Sequence, residues 1–105
     1  MIDKFKFFCM IFLALDADWD ETHNEELGRF LSDANPFLFN GEVSAVRKVY
    51  DDFLEFVNDK KIDVTGSYDV ACSYINHLNI PAVTESFFLL DRAQWTEALE
   101  EYLKE

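Results

Sequence analysis

The sequence predicts an all-α protein, a single small domain of five or six short helices packed as an irregular or orthogonal bundle. Apolar residues recur at helical spacing, and no alternating strand pattern of useful length is visible. Helix breakers are scarce, with three Gly and two Pro. A chain of 105 residues that is 50% hydrophobic and 16% aromatic can bury one core but not two. We therefore expect residues 1–105 to form one domain.

Residues 2–15 are predicted to form a core element. A helical stripe contains Ile2, Phe5, Cys9, Phe12 and Leu13. Further apolar residues, Phe7 among them, fall outside this stripe, and a helix that is apolar nearly all round is either central or self-associating. A buried strand is the alternative, because periodicity cannot classify a short apolar run.

Residues 7–15 also have the apolar character of a short signal peptide. However, Asp3 lies where such a peptide is positively charged, and no small-x-small cleavage site follows the run. The run is also too short to cross a bilayer, which takes about 20 residues. We expect a buried element in a cytoplasmic protein that does not associate with membranes.

Residues 20–32 are predicted to form the next helix, whose start lies near Asp18 or Asp20, since acidic groups suit a helix N-terminus. Its inward side chains are Leu27, Phe30 and Leu31. The sequence Ala34-Asn35-Pro36 ends it. The loop that follows holds three apolar residues, Phe37, Leu38 and Phe39, of which Phe37 and Phe39 either cover the core or form an apolar patch for a partner or a second copy.

The clearest helical pattern covers Glu42–Asn58. Its apolar side chains fall within an arc of about 160° at helical spacing. They are Val43, Val46, Val49, Tyr50, Phe53, Leu54, Phe56 and Val57. Polar and charged residues occupy the opposite side, and Asn40-Gly41 before the pattern is typical of a turn. We therefore predict an amphipathic helix that faces the core.

The remaining helices are predicted in the second half of the chain. Ser67–Leu78 has an apolar stripe, and Thr65 or Ser67 is suited to its N-cap. Ala82–Leu90 forms a short helix, and the last one follows Asp91 as N-cap. The pattern also allows these last two to run together as one helix.

The net charge of the chain limits the classes of molecule that it is expected to bind. The chain has 21 Asp and Glu against 9 Lys and Arg, a formal net charge of −12. A nucleic-acid binder needs clustered cations, so none is expected here. Cys9 and Cys72 lie in apolar stretches and are expected to be small buried hydrophobes rather than a disulfide or a reactive thiol.

One stretch concentrates the negative charge and is the candidate partner-binding surface. It consists of Asp16, Asp18, Trp19, Asp20, Glu21, Glu25 and Glu26, without any Lys or Arg among them. Trp19 is either a core anchor or an aromatic interface residue within a charged rim. A second, weaker set of candidates is Asp51, Asp52 and Glu55.

No metal site is predicted. Asp16, Asp18 and Asp20 have the spacing that opens a calcium loop, but Glu21 stands where the loop needs Gly and Leu27 where it needs a bidentate Glu. The two histidines lack the paired Glu-x-x-His spacing of a helical-bundle carboxylate site.

No catalytic pattern is present either: the sequence has no nucleophile elbow, no Gly-rich phosphate loop and no Cys-x-x-Cys. We therefore expect neither an enzyme nor a bound cofactor. In size, charge and helicity the chain resembles immunity proteins that neutralise basic nuclease toxins, and acidic proteins that imitate nucleic acid. No motif of these families is present, so no residue role follows from the resemblance.

These observations predict a small acidic helical interaction module that binds a basic protein. The alternative is a self-associating structural domain in which residues 7–15 bury against a second copy, giving a homodimer.

Overall fold

The computed structural model describes residues 1–104, which form six α-helices and no strand. The helices are α1 (Lys4–Thr22), α2 (Glu25–Ala34), α3 (Arg47–Val57), α4 (Val64–Leu78), α5 (Pro81–Phe87) and α6 (Arg92–Leu103). The Cα radius of gyration is 12.7 Å, close to the roughly 13 Å of a single compact domain of this length. The predicted all-α class is confirmed.

Helix α1 is the central element and not a strand. Its buried residues, Phe7–Phe12 and Leu15, pack against α2, α3 and α5. The side chain of Asp3 caps its start by accepting a hydrogen bond from the Lys6 backbone N–H at 3.1 Å. The segment that the self-association hypothesis placed at an interface is therefore largely buried within the chain itself.

The predicted boundary between the first two helices is wrong. Asp18 and Asp20 lie near the end of α1, not at the start of α2, because no Gly or Pro interrupts the helix before Thr22. His23 then adopts left-handed backbone angles with φ 52°, and Asn24 caps α2 by accepting from the Leu27 N–H at 3.0 Å.

Helix α3 begins later than predicted, since residues 42–46 are not helical. The backbone N–H groups of Ala45 and Val46 donate to the carbonyls of Asn35 and Asp33, at 2.9 and 2.8 Å. The buried Ser44 hydroxyl accepts from the Tyr50 N–H at 3.0 Å and so satisfies a donor in the first turn. Hydrogen bonds to the end of α2 thus replace the predicted first turn.

The second half contains the predicted helices, but α4 begins three residues earlier than predicted and α5 ends at Phe87 instead of Leu90. Helix α4 begins at Val64, because Asp63 accepts from the Gly66 N–H at 2.7 Å, so neither Thr65 nor Ser67 is the N-cap. Helices α5 and α6 are separate. The predicted cap Asp91 accepts from the Gln94 N–H at 2.8 Å, and the Gln94 side chain accepts from the Asp91 N–H at 3.0 Å.

Aromatic side chains fill the core. Phe53 is fully buried, and its ring lies 4.9–6.0 Å from the rings of Phe7, Phe8, Tyr50 and Tyr74. A second cluster lies around buried Trp95 of α6, whose ring is 5.6 Å from that of Phe87. Phe7 links the two clusters, because its ring lies edge-on to that of Trp95 at 6.0 Å. The two clusters join α1 and α3 to α4 and α6.

Two tyrosines of α4 are expected to respond in opposite ways to loss of their hydroxyl. Tyr68 donates to the Leu90 carbonyl at 2.8 Å, whereas the buried Tyr74 hydroxyl has no hydrogen-bond partner within residues 1–104. Burial raises the pKa of Tyr74. We expect Tyr68→Phe to lower the free energy of unfolding by about 0.5–1.5 kcal/mol, and Tyr74→Phe to leave it unchanged or raise it. Urea denaturation measures both, and the reverse order would contradict the hydrogen-bond assignment.

Candidate partner-binding surface

The seven predicted surface residues come together where α1 meets α2. Asp16, Asp18, Trp19, Asp20 and Glu21 occupy the last turns of α1, and Glu25 and Glu26 open α2. Only the His23-Asn24 turn separates the two groups. We call this surface the acidic end.

The four carboxylates at the end of α1 lie on different sides of that helix and do not form one flat face. Residues two apart on a helix point in different directions. Asp16 lines a groove of about 320 Å³ beside α2, together with Trp19 and Gly28. Asp18 and Glu21 line a groove of about 370 Å³ on the side of α5 and α6. The acidic end therefore presents charge to two grooves.

These charges lack compensation. No Lys or Arg occurs between residues 7 and 28, and within the described part of the chain none of the six carboxylates forms an ion pair. Helix α1 also carries Lys4 and Lys6 in its first turn and no basic residue in its last turn. This order opposes the helix dipole and costs about 0.3–1 kcal/mol per charge. The carboxylates at the end of α1 are therefore unfavourable for that helix.

Trp19 joins the two helices of the acidic end. It is half-buried and packs against the core, and its ring lies edge-on to His23 at 4.8 Å. A Cβ added to Gly28 would lie 2.8 Å from the Trp19 Nε1 atom, so the glycine allows the indole to cross α2. Trp19 is therefore a helix-packing residue that stays partly exposed. It lies between the two predicted roles of core anchor and exposed interface residue.

The two glutamates of the acidic end favour the start of α2, because negative charge stabilises a helix N-terminus. Glu26 has a further contact that the sequence did not reveal: its carboxylate accepts from the Ala82 N–H at 3.4 Å. Ala82 lies in the first turn of α5, where backbone donors lack helical partners. Glu26 thus also links α2 to α5.

The second set of acidic candidates lies elsewhere. Asp51, Asp52 and Glu55 are exposed on α3, which packs through Phe53 against Phe7 and Phe8 in the first half of α1. Asp16, the nearest residue of the acidic end, lies about 12 Å further along α1 than Phe8. Asp52 also pairs with Lys48 at 3.6 Å. These three residues do not join the acidic end.

The cysteines are free thiols and form no bridge. Cys9 is buried as predicted, and burial raises its pKa to about 11. Cys72 is half-buried instead of fully buried, and desolvation raises its pKa as well. Both thiols are protonated at neutral pH and therefore poor nucleophiles.

The loop after α2 exposes its apolar residues. Phe37, Leu38 and Phe39 are 55%, 61% and 59% exposed, so they do not cover the core as one interpretation predicted. Phe37 only touches the core, with its ring 5.8 Å from that of Phe12. Three consecutive exposed apolar residues form a small patch of the kind that contacts other molecules.

Further features bear on function. In the described residues, no group of three or more His, Cys, Asp or Glu is arranged to hold a metal ion. None of the helices traced between residues 1 and 104 combines the length and the apolar character needed to span a membrane. No protein-family model matches the chain, and no curated protein or solved structure is significantly similar to it.

Proposed function

We propose that the chain is a small acidic interaction module that binds a basic protein through the acidic end. The observation that carries this proposal is the set of six carboxylates at the junction of α1 and α2, which lack ion-pair partners among the described residues. Those at the end of α1 also oppose its dipole. Violations of local stability rules concentrate at functional sites.

Charge supports a protein partner over nucleic acid. A net charge of −12 repels phosphates and attracts cations over several ångströms of solution. Complementary charge raises association rates by about 10- to 1,000-fold at low salt and disfavours acidic partners. We propose binding and not catalysis, since the sequence carries no recognised catalytic motif.

Capture from a native lysate tests this function. The immobilised chain is expected to retain a basic protein at about 50 mM salt and to release most of it at about 500 mM, where charges are screened within a few ångströms. The triple variant Asp16→Asn, Asp20→Asn, Glu25→Gln is expected to lose most of the captured protein. The matched control Asp33→Asn, Asp59→Asn, Glu97→Gln makes the same change in charge at exposed positions outside both candidate sets and should retain it.

Two outcomes would contradict the module. A captured protein that is acidic or neutral, or one whose retention ignores salt, rules out recognition by charge. Equal losses in the triple variant and its matched control show that net charge, and not the acidic end, determines binding.

The exposed loop patch favours a second candidate, a self-associating structural domain. Phe37, Leu38 and Phe39 could pack against a second copy. Salt separates the candidates, because screening the −12 charge strengthens contact between copies and weakens contact with a basic partner. Sedimentation velocity at two protein concentrations, each at low and high salt, is expected to show a monomer throughout if the module is correct.

A further inference from the structure

One face of α1 beside the acidic end borders open space, although Met10 at its start is itself buried. Its residues follow the spacing of one helical face: Met10, Leu13, Ala14, Ala17, Asp18 and Glu21. This face is about 16 Å long, or three helical turns. It lines two grooves of about 420 and 370 Å³, which adjoin because they share Ala14, Ala17 and Leu90. We call the two grooves together the furrow.

The wall opposite α1 belongs to α6, the turn before it and the end of α5, which contributes Ser86. Gln94, Ala98, Glu101 and Tyr102 line it at the spacing of one helical face. Helices α1 and α6 touch through the buried rings of Phe7 and Trp95, and the furrow opens where small side chains follow. Ala17 and Ala98, one on each wall, are both exposed. An open channel between two helices therefore remains.

The furrow changes character along its length. At one end its walls are apolar, with Met10, Leu13 and Ala14 facing Tyr102. Carboxylates flank it, with Glu101 on α6 and Asp18 and Glu21 at the acidic end of α1. No Lys or Arg is among the residues that line it. An occupant that matches these walls has an apolar stripe bordered by cations.

A basic amphipathic helix has that pattern, since apolar anchors at i, i+3, i+4 and i+7 lie along one face and Lys or Arg border them. A second copy of this chain fits worse, because two chains of −12 repel each other. The furrow also extends over three turns, which matches an elongated element better than a small molecule.

We propose that the furrow binds an amphipathic basic helix of the partner, with the apolar face of that helix between α1 and α6. This inference rests on the proposed function and specifies which element of the basic protein is recognised. Asp18 and Glu21 then contact the cations that flank that face, while the rest of the acidic end steers the approach.

A pair of synthetic peptides tests the furrow independently of the natural partner. Each has about 18 residues of Leu and Lys, in one case patterned as an amphipathic helix and in the other scrambled. Fluorescence anisotropy at low salt is expected to show the patterned peptide binding at least about tenfold more tightly. Its circular dichroism spectrum is expected to become more helical on binding.

An uncharged side chain that blocks the furrow distinguishes the contribution of the furrow to binding from that of the acidic end. Ala98→Phe fills the channel, and Ala93→Phe makes the same change on α6 at an exposed position outside the furrow. The first is expected to weaken binding of the patterned peptide about tenfold, the second less than about twofold. Circular dichroism checks that both variants fold, and Ala17→Phe repeats the test from the opposite wall.

Four results would overturn the inference. Equal affinity for the two peptides means that charge alone recognises the partner, and so does the absence of any effect of Ala98→Phe and Ala17→Phe. The proposed function then stands without the furrow. Failure of the patterned peptide to bind at low salt also excludes the furrow, while salt-sensitive capture of a basic protein still supports the module. A dimer that Ala98→Phe dissociates makes a second copy the occupant.

Discussion

Replacing Phe53 by alanine is expected to lower the free energy of unfolding by about 3–5 kcal/mol. Its side chain is fully buried, and four aromatic rings surround it. Those rings come from α1, α3 and α4, so no single helix can move to fill the space. The cost therefore includes both the lost burial of the ring and the cavity left behind.

Urea denaturation followed by circular dichroism measures this loss. Asp51→Asn is the control on the same helix, because Asp51 is exposed, and it is expected to change stability by less than about 0.5 kcal/mol. Domains of this size have only about 5–15 kcal/mol of stability, so Phe53→Leu provides a milder variant that is expected to lose roughly 1–2 kcal/mol. A loss below about 1 kcal/mol for Phe53→Ala would contradict the packing of α3.

The inward face of α3 was predictable because apolar residues recur at helical spacing between Arg47 and Val57, with polar residues on the opposite side. The start of α3 was not. Its predicted first turn is apolar on the same side, but hydrogen bonds from Ala45 and Val46 to the end of α2 hold that segment in another conformation. Such contacts between distant residues leave no local signal.

The boundary between α1 and α2 illustrates a different difficulty. Acidic residues are common at helix starts, which made Asp18 and Asp20 suitable for the beginning of α2. In the structure the chain carries them to the end of α1, where the dipole disfavours them. Helix-end preferences are small compared with tertiary packing, so they do not fix where a helix ends.

The acidic end was predictable and the furrow was not. Charge density is a property of sequence, and the short turn between the helices keeps the six carboxylates together. By contrast, Met10 and Leu13 belong to a run that is apolar on nearly every side. Which side of that helix borders the furrow depends on the path of α6, about 80 residues further along the chain.

The second large effect is expected at Trp95, which joins the two halves of the core. It is fully buried, and its ring lies edge-on to those of Phe7 and Phe87 at 6.0 and 5.6 Å. Its Nε1–H donates to the buried Ser67 hydroxyl at 2.8 Å, and that hydroxyl donates to the Val64 carbonyl at 2.9 Å. We expect Trp95→Ala to lower the free energy of unfolding by about 3–5 kcal/mol.

A double-mutant cycle separates the packing of Trp95 from its hydrogen bond. Ser67→Ala leaves the buried indole N–H unsatisfied and is expected to cost about 1–3 kcal/mol in the wild-type background. In a Trp95→Phe background no donor remains to be satisfied, so the same change is expected to cost clearly less. Equal costs in the two backgrounds, measured by urea denaturation, would show that the indole bond to Ser67 does not stabilise the contact between α4 and α6.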